Sequence, residues 1–128
     1  MSPLPMEPDL ITGTMFEHSD EPAFVMDPEH DRILAANDAG CRLLGYTRAE
    51  LVGMSIEQIH PAELAELSEL LRRVLGNGRA STITLTCRTK LGTFLPTEIS
   101  VHALEVAGRT RILGLVQDRS EHRERSRR

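Results

Sequence analysis

Catalysis needs a nucleophile, a base or a metal set converging on one cleft, so chemistry in this chain would have to start from its histidines, cysteines and hydroxyls. Five histidines stand at His18, His30, His60, His102 and His122. None is spaced from another as HxxxH or HExxH, and no glycine-rich loop of the phosphate-binding kind occurs. Ser68 and Ser81 have no histidine and acid that the pattern would bring beside them. Cys41 and Cys87 fall in different segments without metal-type spacing, and they read as free thiols of a reducing, cytoplasmic compartment. These residues point to a chain that catalyses nothing and holds no metal.

Charge narrows the partners. The net charge is −4, yet residues 119–128 carry five arginines against Glu121 and Glu124, which leaves −7 on residues 1–118. An acidic body argues against direct nucleic-acid binding, and the basic tail reads as the start of a solvated linker helix. With no Trp, one Tyr and three Phe, any pocket must be aliphatic rather than a base-stacking platform. No run approaches the roughly 18 apolar residues of a membrane span.

The elements that would position side chains follow from period and caps. Residues 1–9 hold three prolines and no periodicity, and are expected to be poorly ordered. Leu10, Ile11, Met15 and Phe16 share one side of a short helix over residues 10–18, which must pack on this domain or on a second copy. Ala23 to Asp27 and Arg32 to Ala36 read as strands joined by a turn at Pro28–Asp31. Asn37 stands at a helix N-cap, Gly45 at that helix's end, and Thr47 with Glu50 forms a capping box for the next helix. The longest helix is expected from Pro61 to about Leu75, with Leu64, Leu67, Leu71, Val74 and Leu75 on its buried face. Alternation then predicts strands over Ser81–Arg88, Phe94–Val106 and Arg111–Asp118. The sum is an α+β fold, a five-stranded antiparallel sheet with helices packed on one face.

The order and spacing of these signals resemble a PAS domain. In the first half the likeness rests on Pro22 before the first strand, Asp27, Asn37-x-Ala39, Gly45-Tyr46, Glu50-Leu51, Gly53 and His60-Pro61. In the second half it rests on Gly92-x-x-x-Pro96-Thr97-Glu98-Ile99-Ser100 and on a closing strand that ends Asp118-Arg119-Ser120-Glu121. The domain core is thus expected over residues 21–118, preceded by a flanking helix at 10–20 and followed by a signalling helix that begins at 119. The resemblance implies the input module of a bacterial-type regulator: a histidine kinase, a cyclic-dinucleotide enzyme or a transcriptional activator. It also implies a homodimer through Leu10, Ile11, Met15 and Phe16, an effector domain as partner, and signal transfer at Asp118 and Arg119.

Relatives of this kind hold cofactors between the sheet and the long helix. The light-oxygen-voltage type needs a cysteine in G-x-N-C, where this chain reads Gly53-Met54-Ser55-Ile56, and its flavin-pairing positions are here Thr97 and Val116. Covalent flavin chemistry is therefore not expected. Haem sensors take an axial histidine from the long helix, but Glu63 to Leu75 has none. His60 lies just before it and reads as a cap or packing residue rather than a ligand, so no cofactor is expected. Alternation assigns the inner sheet face to Phe24, Met26, Ile33, Ala35, Ile83, Leu85, Cys87, Thr97, Ile99, Val101, Ile112 and Val116, with Leu67 and Leu71 from the helix. Two readings fit this set: a dry pocket for an apolar ligand, or a solid core in a docking and dimerisation module.

Overall fold

The computed structural model describes residues 5–6 and 14–120. In chain order the elements are β1 (Pro5–Met6), α1 (Thr14–Glu17), β2 (Ala23–Asp27), β3 (Arg32–Ala36), α2 (Asp38–Leu44), α3 (Arg48–Leu51), α4 (Ile56–Ile59), α5 (Leu64–Asn77), β4 (Arg79–Thr82), β5 (Thr86–Arg88), β6 (Phe94–Val106) and β7 (Arg109–Asp118). The sheet runs β1-β6-β7-β2-β3, and β4 and β5 also pair with β6. One edge of β6 is therefore shared end to end by β5, β4 and β1, while β7 takes the other. All pairs are antiparallel except β1 with β6. The expected α+β architecture holds, with more strand segments than expected.

The expected strand over 81–88 is broken at Ile83–Leu85. Thr82 Oγ1 accepts from the Thr84 amide at 3.2 Å, a local bond that competes with the ladder. The break turns Ile83 outward, 60% exposed, and drops Leu85 into the core. A second departure lies in β3. Val25 pairs with Ala35 but Met26 pairs with Ile33, so Leu34 is an extra, bulged residue. The bulge inverts the alternation after Ile33: Ala35 turns to the outer face, against its expected inner place, and Ala36 takes the inner one.

The long helix also starts and faces differently. It begins at Leu64, not Pro61, because Glu63 has a non-helical backbone and its carboxylate accepts from the Thr86 amide and, at 2.8 Å, from the Thr86 hydroxyl. Leu67, Leu70 and Val74 are its buried residues. At 100° per residue, Leu64 and Leu75 lie roughly a quarter-turn from that stripe. Both are about half exposed, which corrects their assignment to the buried face. Leu71 sits between the two and is half-buried against the core.

Two apolar layers result. The main one lies between the inner sheet face and α2–α5. The smaller one is on the outer face, where Phe16 of α1 packs with Ala23 and Val25, flanked by half-buried Ala35, Leu104, Val106, Leu113 and Leu115.

Candidate functional site

Asn37 organises the first half of the site. It is fully buried, and its Oδ1 accepts from the amides of Gly40 (2.8 Å) and Ala23 (3.0 Å) while Nδ2 donates to the Glu21 carbonyl (2.9 Å). One side chain thus caps α2 and ties it to the start of β2. The Thr47–Glu50 capping box is present, and Gly45 closes α2 at φ 82°. A second box, Ser55 with Gln58, starts α4, and Asp31 reaches across to accept from the Ser55 hydroxyl and the Ile56 amide. This second box was missed in the sequence, although its S-x-x-Q pattern is the signal that could have found it; Asp31's reach from a positive-φ turn has no such signal.

These ties hold α2 and α4 over the central strands and leave a narrow cavity of ≈ 40 Å³. Its wall is Phe24, Met26, Ile33, Leu44, Ile56, Ile59, His60, Cys87, Ile99, Gly114 and Val116. Of the expected pocket residues, Phe24, Met26, Ile33, Cys87, Ile99 and Val116 come together here. Leu67, Leu71, Leu85, Val101 and Ile112 pack in the core away from the cavity wall. Thr97 is buried with its hydroxyl already donating to the Leu85 carbonyl at 2.7 Å. The cavity thus sits under the short helices rather than under α5; Leu44, Ile56, Ile59 and His60 are wall residues that alternation within strands did not reveal, whereas Gly114 falls at the same period as Ile112 and Val116.

His60 is the polar side chain of that wall. It is 7% exposed, and its Nδ1 lies 3.0 Å from the Thr86 carbonyl and 3.9 Å from Cys87 Sγ. Burial pulls its pKa below the ordinary imidazole value, against the Thr86 carbonyl and the Glu63 carboxylate, which pull the other way. Burial likewise pushes the Cys87 thiol up to about 12, so it stays protonated and inert. His60 and Glu63 together grip the backbone of Thr86 from both sides, through its carbonyl and its amide.

Elsewhere, ligand atoms of Asp27, Glu29 and His30 lie within 4.8 Å of one another. The Asp27 carboxylate is already engaged by the Glu29 amide, the His30 ring at 2.8 Å and the Arg111 guanidinium at 3.5 Å. A more open depression of ≈ 350 Å³ lies on the surface among Tyr46, Met54, Leu64 and Arg88.

At the end of β7, Asp118 pairs with Thr97, and its carboxylate accepts from the Ser120 amide at 2.8 Å; the Arg119 amide donates to Pro96 at 2.8 Å. The expected signalling helix from residue 121 onward lies outside the described residues. So do Leu10 and Ile11 of the expected dimer contact, and the side chain of Met15. Phe16 is buried against its own sheet.

A meandering antiparallel sheet with a crown of short capped helices over its inner face defines the class as an α+β domain. The PAS domain family model matches residues 21–121, and the chain belongs to that family. The methyl sulfide methyltransferase-associated sensor of Methanosarcina acetivorans is 25% identical over 112 residues, 86% of this chain. This chain spans only 11% of that relative's length. A domain of the sensory box sensor histidine kinase/response regulator of Geobacter sulfurreducens is 30% identical, with TM-score 0.67, over 81% of this chain and 88% of that one. A PAS domain from a two-component sensor histidine kinase superposes with TM-score 0.72 at 21% identity, over 81% and 89% of the two chains. No described helix is long and apolar enough to cross a membrane.

Proposed function

We propose that the chain is the input module of a bacterial-type cytoplasmic regulator, such as a histidine kinase, and that it senses a small, largely apolar molecule in the cavity under α2 and α4. The observation that carries this reading is the position of Val116: it lines the cavity and stands two residues before Asp118, where β7 ends. A ligand that moved this wall would act directly on the strand end that leads into the next segment. It can do so only by favouring one of two arrangements, and a homodimer would transmit the choice to an effector domain. Flavin and haem are not part of the reading, because Ile56 stands where a photochemical cysteine would be needed and a cavity of ≈ 40 Å³ has no room for either ring system. The relative named as a sensor and the histidine-kinase neighbours support the regulatory context.

The test is an absorption spectrum of the purified protein followed by mass spectrometry of a denaturing organic extract. A colourless protein that yields a stoichiometric small molecule supports the reading. A flavin or Soret band, or an empty extract combined with no binding from a library of small apolar compounds, overturns it. A second reading, a docking and dimerisation module without ligand, is favoured by the outer face, where Leu104, Val106, Leu113 and Leu115 are only half-buried around Phe16. Light scattering that finds a dimer unaffected by Leu113→Glu would count against that surface.

A further inference from the structure

A molecule can reach the cavity only where its wall opens, and most of that wall is fixed. Phe24 and Met26 on β2, Ile99 on β6 and Gly114 and Val116 on β7 belong to strands paired on both sides. Leu44 is the last residue of α2, which Asn37 ties to β2. The remaining cover is α4, four residues of which Ile56 and Ile59 line the cavity. Its two ends are held differently. At the first, the Gly53 amide donates to the Ile33 carbonyl (2.8 Å), the Ile33 amide to the Met54 carbonyl (2.9 Å), and Asp31 accepts from the Ser55 hydroxyl and the Ile56 amide. At the other, side chains hold a single residue of β5: His60 Nδ1 meets the Thr86 carbonyl, and the Glu63 carboxylate accepts from the Thr86 amide and hydroxyl. The β6 residue opposite Thr86 is Pro96, which has no N–H to give and whose carbonyl accepts from the Arg119 amide, so the Thr86 backbone is met by side chains instead.

We propose that α4 is a lid over the cavity, hinged where residues 53–56 bond to Asp31 and Ile33 and latched where His60 and Glu63 clasp Thr86. Release of the latch parts His60 from Cys87, the wall residues on the two sides of the seam. Outside the same seam lies the depression of ≈ 350 Å³: its Glu57 and Gln58 stand on α4 between Ile56 and Ile59, its Pro61 and Leu64 follow His60 and Glu63, and its Arg88 follows Cys87. The depression is thus the mouth and the cavity the chamber, with α4 and β5 as the partition. Undoing one side-chain clasp is a local opening, of lower free energy than unfolding the sheet, and lids that admit and enclose small molecules work by such openings. The lid rests on the ligand-sensing reading for what it admits, but its opening can be measured with no ligand present.

Cys87 reports the opening. Behind the closed lid its thiol is buried and protonated, so a small neutral alkylating agent, iodoacetamide, meets the thiolate only when the wall parts. Cys41→Ser leaves Cys87 as the single thiol of the chain. In that background the alkylation rate of Cys87 is compared with hydrogen exchange at the Leu70 amide, which lies in the middle of α5 on its buried face and reports global unfolding. Glu63→Ala should speed the alkylation at least tenfold more than it speeds the Leu70 exchange. Thr86→Val keeps the shape and the amide and loses the hydroxyl's bond to Glu63. It should move the same ratio in the same direction by a smaller factor, and it carries the test if the Glu63 variant does not fold. Equal acceleration of the two rates, or a Cys87 rate that does not change, overturns the lid, because the cavity then opens only with the whole fold or at another place. Either of those results leaves the ligand reading to the organic extract, so the two ideas fail separately.

Discussion

Asn37→Ala should cost more than the loss of a helix cap. Capping alone accounts for about 1 kcal/mol, and it corresponds here to the bond from the Gly40 amide. The same Oδ1 also satisfies the Ala23 amide, which lies in a residue only 3% exposed. Orphaning a buried donor of this kind costs about 1–3 kcal/mol. The Glu21 carbonyl, in a half-buried residue, can be rehydrated and adds little. The total is about 2–4 kcal/mol, a large part of the roughly 5–15 kcal/mol that holds a domain together, and of order 10 °C in thermal midpoint. Asn37→Ser separates the two contributions, because a serine hydroxyl can cap α2 but is too short to reach Ala23 as well. Urea unfolding followed by circular dichroism should rank wild type above Ser and Ser above Ala, with about 1 kcal/mol between the two variants. An Ala variant within about 1 kcal/mol of wild type, or a Ser variant equal to it, would refute the claim that this side chain joins helix to strand.

Three other expectations follow from the same geometry. Leu70→Ala should destabilise by about 2–5 kcal/mol, since Leu70 is 2% exposed, whereas Leu75→Ala, at 52% exposure, should change urea stability by less than about 0.5 kcal/mol; equal effects would mean that the face of α5 is wrongly assigned. Ala107 sits at φ 52° before Gly108 at 77°, a turn with two left-handed residues that asparagine tolerates better than alanine. Ala107→Asn should raise stability by about 0.5–1 kcal/mol, and a lower thermal midpoint would count against the turn. His60 has a folded pKa below its unfolded value of about 6.5, so the unfolded chain takes up its proton first as pH falls. Stability is intact above that value and is lost as pH drops toward the folded pKa. Relative to His60→Gln, the wild type should lose stability in urea titrations stepped down from pH 7.5, and a pH-independent difference would show that the ring is not held neutral.

The parts legible in the sequence were those governed by local chemistry. Asn37, Gly45 and the Thr47–Glu50 box did what their types and spacing require, and two-residue alternation placed Phe24, Met26, Ile99 and Val116 on the inner face. The misplacements came where one element overrides another's period. A single bulged residue, Leu34, inverted the register of β3, so Ala35 and Ala36 exchanged sides. The Thr82–Thr84 bond broke a strand that composition alone would continue, and it exposed Ile83. In α5, the spacing of three and four fits two overlapping stripes equally well. The sheet beneath chose Leu67, Leu70 and Val74 over the stripe of Leu64 and Leu75.

His60 shows why the site was harder to read than the fold. It belongs to no strand or helix face, so no periodicity can assign it a direction. Its place is set by two partners from a distant part of the chain: the Thr86 carbonyl that takes its Nδ1, and the break at Ile83–Leu85 that brings Thr86 and Cys87 over the end of α4. Glu63 fixes the same residue from the other side, through the Thr86 amide and hydroxyl. The position of His60 is thus a product of tertiary geometry.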